Sequence, residues 1–457
     1  MEILLYTSAF FIALGFVFMI IEYPYHLGGI IVFLTIYHFN IELPLPLDAR
    51  GLLTLILFFR LYIFDKTNAK IVNTHLFKNK IFWIIVTFSL TIIVAPIIHS
   101  AKFGSSVKII ILNWIVLIIG FLLLIDPKGK KIFLYSVIAV SIASSIDLFY
   151  TYYLGKGLNV VRLVDAILGR HMRSMNHNFP GMLSTMGIFF VFLMYARKEA
   201  SRILLLFIGL FLFAGLILST SRSGLFALIV IIILMNFMEE DLQRNLKRMV
   251  MLVVGLVILL VVFFFTYNAF LKTQGKPQFV DEIYYRLIGE PLQIVGLGNS
   301  NFDIYSGKKI QGSMTFRAAK WHEDFNKFKD FSLSIQMFGV GPHKYLTIAR
   351  KEYRNEGNLR RQLEAHNGYL IILVERGILG LILYLLIIVT MSISAFKIIQ
   401  LYQLKVPVIY LYLFIVFYSF AQNSELVGVY SYLLMGGILG NIYSAKSDDN
   451  FVDEEID

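Results

Sequence analysis

Four short polar stretches in an otherwise apolar chain hold the residue types that could do chemistry. The first is Gly169-Arg170-His171-Met172-Arg173-Ser174-Met175-Asn176-His177-Asn178-Phe179-Pro180. Two arginines, two histidines and two asparagines together suit a phosphate or a sugar, because guanidinium forks match phosphate oxygens in pairs. An interfacial loop whose arginines touch lipid head groups would carry the same residues. Metal binding fits poorly: His171 and His177 are six apart, and no carboxylate lies between Asp165 and Glu199.

The second stretch, Ser219-Thr220-Ser221-Arg222-Ser223-Gly224, is a polar turn between two long apolar runs. An arginine this close to hydrocarbon is costly unless it is paired, snorkels to head groups or serves a ligand. No acid lies nearby in sequence. An anion held by the guanidinium and by the free N–H groups of the next helix start would satisfy it.

The third lies in a long polar segment: Arg317, Ala318, Ala319, Lys320 and Trp321, then Met337-Phe338-Gly339-Val340-Gly341-Pro342-His343. Gly-Val-Gly-Pro reads as a tight turn and as no nucleotide-binding fingerprint. The fourth is Glu364-Ala365-His366-Asn367-Gly368-Tyr369-Leu370, followed by Leu373-Val374-Glu375-Arg376-Gly377-Ile378-Leu379-Gly380. A histidine near its ordinary pKa suits general-base work on a hydroxyl. Taken by itself, a histidine placed like His366 is more often a capping or interfacial residue than a catalyst.

The elements that must position these residues follow from composition. Of 457 residues, 58% are apolar and 16% charged, with a mean hydropathy of +0.72, against roughly 45–50% and about 25% in soluble domains. A helix needs roughly 20 apolar residues to cross a bilayer core. Runs of that kind lie near 3–21, 26–40, 49–64, 81–99, 107–125, 131–150, 181–197, 202–219, 223–237, 249–266, 369–396, 406–422 and 425–442. The second and third are short and flank Pro44 and Pro46. The expectation is an all-α polytopic membrane protein of about 12 (12–13) transmembrane helices. Met249–Thr266 is continuously apolar, which excludes a β-barrel. In chain order this gives N-terminal spans in 1–150, an outer loop at 151–180, four spans in 181–266, a long outer loop at 267–366, C-terminal spans in 367–442 and an acidic tail at 443–457.

The net charge of +11 sharpens this picture. Six acids fall in the last ten residues, so the remainder is near +17 (11 plus 6). Short links with Lys128, Lys130 and Lys131, with Arg197, Lys198 and Arg202, and with Arg244, Lys247 and Arg248 belong in the cytoplasm. The segments 151–180, Ser219–Ser223 and 267–366 then all face outward. The long loop carries nine Lys and six Arg against ten acids. Long loops translocate whatever their charge, so this outward surplus has another reason to exist. Cysteine is absent, which excludes disulfides, thiol nucleophiles and thiolate metal sites.

In combination and in this order the four stretches resemble the O-antigen ligase/polymerase superfamily of bacterial cell-surface glycan assembly. Ser221-Arg222-Ser223-Gly224 opening a span is similar to one family signature. Arg317…Trp321 with Phe338-Gly339-Val340-Gly341 is similar to another, and His366-Asn367 with Leu373–Gly380 to a third. The resemblance covers roughly residues 170–400. It implies a GT-C-like fold in the bacterial inner membrane, with a metal-independent, inverting glycosyltransferase site facing the periplasm and no cofactor. The implied donor is a glycan on undecaprenyl pyrophosphate; the acceptor is lipid A–core for a ligase or a second lipid-linked glycan for a polymerase. Membrane lipids surround the protein, and nucleic acid is not a partner. By resemblance His366 is the catalytic base. Arg222, Arg317, Arg170 and Arg173 grip the pyrophosphate, with Ser221 and Asn367 as further substrate contacts. A transporter or flippase would instead place charges within spans and show inverted repeats. Only Arg60 is a plausible mid-span charge, Asp147 lies near an outer end, and no repeat stands out. A non-catalytic scaffold has no sequence feature in its favour.

Overall fold

The computed structural model describes residues 23–36, 49–98, 104–153, 159–161, 163, 174–176, 178–196, 200–219, most of 221–230, most of 321–345, 367–402, 407–419 and 429–453. The elements are almost all helical: α1 (Pro24–Ile36), α2 (Ala49–Phe58) with a π turn to Ile63, α3 (Lys66–Ile71) with a π turn to Leu76, α4 (Lys80–Ile98), α5 (Gly104–Ile125) and α6 (Pro127–Tyr153). Then follow α7 (Asn178–Ala196), α8 (Arg202–Leu218), α9 (Leu333–Phe338), α10 (Gly368–Tyr402), α11 (Pro407–Tyr418) and α12 (Val429–Asp453). The exception is a ribbon, β1 (Asn159–Val161) paired antiparallel with β2 (Ser174–Asn176) in the register Asn159↔Asn176 and Val161↔Ser174. Every candidate span coincides with a described helix except 3–21, 223–237 and 249–266, which lie wholly or mostly outside the described residues. Among the described residues three helices are long and apolar enough to cross a membrane, Ser106–Ile125, Pro127–Thr151 and Gly368–Lys397, or four if the bent pair Lys66–Leu76 and Lys80–Val94 is one broken span. With the family match reported below, the apolar helices make this a membrane-embedded protein.

Helix starts are fixed by local chemistry. Asp126 precedes Pro127, whose missing N–H costs nothing at the first helical position, and its Oδ1 accepts from Lys128 N at 2.7 Å and Gly129 N at 3.3 Å. Asp65 caps α3 through Thr67 N and Asn68 N, and Asn79 Oδ1 accepts from Ile81 N at the start of α4. Inside the spans, hydroxyls such as Ser141, Thr151 and Thr185 return to the carbonyl one turn earlier, which satisfies them where water is absent.

The chain divides into two compact units, residues 1–136 with 321–457 and residues 137–320, the division falling within α6. In the first unit α5 packs on α12 with backbones in close approach. A Cβ at Gly436 or Gly440 would run into the carbonyls of Leu117 or Phe121, so this small-xxx-small pair lets the two helices touch. Asn441 Nδ2 donates to Leu124 O at 2.9 Å along the same seam. Trp114 Nε1 donates to Ser89 Oγ at 2.7 Å and sets the register of α4 against α5. In the second unit small residues play the same part. Ser145 and Ser184 hydroxyls lie 3.1 Å apart, Ser141 Oγ also donates to Leu183 O, and Gly187 sits against Ser141 and Leu212.

Candidate functional site

The return of the chain into α10 is built around a broken helix. Asn367 Oδ1 accepts from Tyr369 N at 3.0 Å and Leu370 N at 3.1 Å, capping α10 one residue after His366. Gly368 N donates to Ser419 O, and the Tyr369 hydroxyl donates to Val416 O, so the cap is tied to the end of α11. Nine residues later α10 breaks at Gly377, whose φ of 71° and ψ of −174° belong to no L-residue well.

The break frees carbonyls, and the Phe338-Gly339-Val340-Gly341 turn takes them. Val340 N donates to Val374 O and Gly341 N to Glu375 O, both at 3.0 Å. Gly339 is itself at φ 79°. The two glycines face each other's backbone: a Cβ on Gly339 would strike Glu375 and Arg376, and one on Gly377 would strike Met337 and Phe338. Around this clasp, Tyr345 N donates to Glu375 Oε1 at 3.3 Å, and the buried Tyr345 hydroxyl donates to the buried Asp324 carboxylate. Phe328, Tyr345, Leu370, Ile371, Leu373 and Val374 form the apolar core beneath it, with Trp321 packed against its side. The third and fourth sequence stretches are therefore one object. Its described part begins four residues after Arg317 and, beyond residue 345, resumes one residue after His366.

The polar turn of the second unit is held differently. Ser221 is fully buried. Its N–H donates to Ser219 Oγ at 3.2 Å, and its Oγ accepts from Gly224 N at 3.3 Å, the bond of an N-cap. Gly181 of α7 lies directly beneath, where a Cβ would meet both Ser219 and Ser221. Ser221 thus shapes the backbone on either side of Arg222. Arg222, Arg317, Arg170, Arg173 and His366 themselves lie outside the described residues. Of the sequence-derived site residues, the structure describes Ser221 and Asn367, and both are helix caps.

Two residues carry more than the sequence suggested. Arg376, between Glu375 and the Gly377 break, is buried; its Nη1 donates to Phe88 O at 3.0 Å and its guanidinium lies 4.2 Å from the Phe88 ring centroid. It pins the break to α4. Its sequence signal was a charge inside an apolar motif. Asp147 of α6, also buried, accepts from Leu163 N at 2.9 Å. With the β1–β2 ribbon, this bond gathers both ends of the segment that contains Arg170 and Arg173. Arg60 falls in the π turn after α2 and is part-buried. Among the described residues no group of three or more His, Cys, Asp or Glu is placed to hold a metal ion.

No curated protein matches the chain. A family model does: its matched residues include the Ser221–Gly224 turn, Arg317, the clasp and the His366-Asn367 pair, while Arg170 and Arg173 precede it. Residues 207–385 match the family model described as O-antigen ligase, so over that region the chain is similar to the O-antigen ligase/polymerase superfamily.

Proposed function

We propose that the protein transfers a glycan from undecaprenyl pyrophosphate to an acceptor hydroxyl at the outer face of the bacterial inner membrane, as an O-antigen ligase acting on lipid A–core. The observation that carries this reading is the Gly339–Gly377 clasp with its Asn367 cap, a rigid mount that begins one residue after His366. It lies inside the matched O-antigen ligase domain. His366 takes the proton of the acceptor hydroxyl as its oxygen bonds to the anomeric carbon. The bond from that carbon to the pyrophosphate oxygen breaks in line, and the configuration inverts. The electron pair leaves on undecaprenyl pyrophosphate. Arg222 and Arg317, with Arg170 or Arg173, stabilise the charge that grows there, and no metal is required. The fold is GT-C-like, with about twelve spans and the site facing the periplasm. Ligation is preferred here to polymerisation of repeat units on the long loop and the His366-Asn367 pattern.

Deletion of the gene followed by gel separation of surface glycan and lipid-linked glycan tests the reading. A ligase leaves long lipid-linked chains and no polymer on lipid A–core. Single-repeat products would replace ligation by polymerisation, and unchanged glycan would overturn both.

A further inference from the structure

The structure assigns an interaction surface at the end of the first unit where α4 begins and α5 ends. α3 and its π turn (Lys66–Leu76) meet α4 at 87°. The short helix therefore runs nearly perpendicular to α4. The Trp114–Ser89 contact puts Lys80 and Ile125 at one end of the unit, nine and eleven residues beyond it. Lys130 Nζ bonds Ser444 Oγ at 2.8 Å, and the His75 ring lies 4.3 Å from that of Tyr443, so α3, the start of α6 and α12 meet at that end. The lysine-rich links place it in the cytoplasm.

This end carries a surplus of exposed positive charge. Lys66, Lys70, Lys78, Lys80, Lys128 and Lys131 are all exposed. The acids nearest them in sequence, Asp65 and Asp126, both direct carboxylate oxygens to backbone N–H groups as helix caps. α3 is two-faced: Val72 and Leu76 are buried, while Lys66, Lys70 and His75 are exposed. Exposed aromatics flank the lysines, with Phe64 74% and Trp83 56% accessible. Trp83 directs its Nε1 to Phe77 O at 2.8 Å, which leaves its ring as an apolar face. With the apolar face of α3 packed into the protein, its lysine face exposed and Phe64 and Trp83 exposed beside it, this end offers cations for phosphate next to rings for acyl chains.

We propose that this collar binds the phosphate head groups of anionic phospholipids in the inner leaflet. The competing occupant is the chain's own acidic tail, which follows Ser444 and holds six acids in its last ten residues. The exposed Phe64 and Trp83 favour the lipid, since acyl chains cover apolar rings and a carboxylate-rich peptide does not. The inference is independent of the reaction at the outer face.

The test uses the full-length protein in mixed micelles with phosphatidylglycerol or phosphatidylcholine, counting retained lipids by native mass spectrometry. Wild type should retain the anionic lipid over the zwitterionic one by at least about tenfold at low salt, and high salt should erase the difference. Replacing Lys66, Lys70, Lys78 and Lys80 together by Gln should abolish the preference, while replacing the same four by Arg should preserve it. If the fourfold Gln variant does not fold, Lys70→Gln and Lys78→Gln singly should each weaken retention about fivefold. Equal retention of both lipids by wild type, or an undiminished preference in the Gln variants, overturns the proposal. So does a preference that emerges only when the chain is shortened at Ser447, which would make the tail the occupant.

Discussion

The clasp around Gly377 and the turn around Ser221 are both polar structures at membrane helix ends, and they are built in opposite ways. The turn is local: Ser219, Ser221 and Gly224 bond one another within six residues, and Gly181 supplies the space. The clasp is long-range: Val340 N to Val374 O and Gly341 N to Glu375 O join residues more than thirty positions apart, and Gly339 and Gly377 beside these bonds are at positive φ. A local turn can lose one hydroxyl and keep its course. A reciprocal clasp fails as a whole, because each glycine's partner surface is the other's backbone. Arg376 binds the same break to α4 from behind. The difference teaches where rigidity is concentrated: in the mount that leads to His366, not in the turn that carries Arg222.

The largest effect should come from Gly377→Val. A β-branched residue at φ 71° costs roughly 1–3 kcal/mol in backbone strain alone, and its side chain would overlap Met337 and Phe338. The expected outcome is loss of monodisperse protein on detergent extraction. Normal extraction and an unchanged Tm would break the comparison at its stronger side. Next is Arg376→Met, which keeps the side-chain length over Phe88 and removes the bond to its carbonyl. A loss of about 1–3 kcal/mol is expected, read as a lower thermal midpoint.

Smaller effects sharpen the contrast between the two caps. Asn367→Ala should lower stability by about 1 kcal/mol and Asn367→Asp should restore it, since either carboxamide or carboxylate oxygen can accept from Tyr369 N and Leu370 N. Thermal melts of the pair decide this. Restoration of transfer activity together with stability would identify Asn367 as a support for His366; stability restored without activity would make its amide a substrate contact. Smallest of all, Ser221→Ala should cost about 0.5–1 kcal/mol with little change in extraction, because Gly181 and the packed serines keep the turn in place. A loss as large as that of Gly377→Val would erase the distinction drawn between the regions.

What was legible in the sequence divides along the same line. The apolar helices could be read because continuous apolar runs mark them, and α4–α8 lie close to the runs at 81–219. The Ser219–Ser223 turn could be read because its chemistry is contiguous. The clasp could not: Gly339-Val340-Gly341 alone specifies only a turn, and its partner carbonyls sit at Val374 and Glu375 inside what reads as one uninterrupted span. Glycine is common in membrane helices, so nothing in Leu373–Gly380 marks Gly377 as a break. The β1–β2 ribbon is three residues a side, too short to show alternation. Asp147 gave no sign that its carboxylate would hold Leu163. Ser221 and Asn367, read as substrate contacts from a family resemblance, have an oxygen engaged in a helix cap, a role their residue types suit but that only the hydrogen-bond geometry reveals.

Purified protein incubated with a lipid-linked glycan donor and lipid A–core tests the central claim most directly, comparing wild type with His366→Ala. With the clasp intact, the variant should keep the wild-type thermal midpoint and lose transfer by at least about a hundredfold, the lower end of what a positioned general base contributes. Transfer at the wild-type rate by a normally folded variant would contradict the account, because the mount would then carry no base.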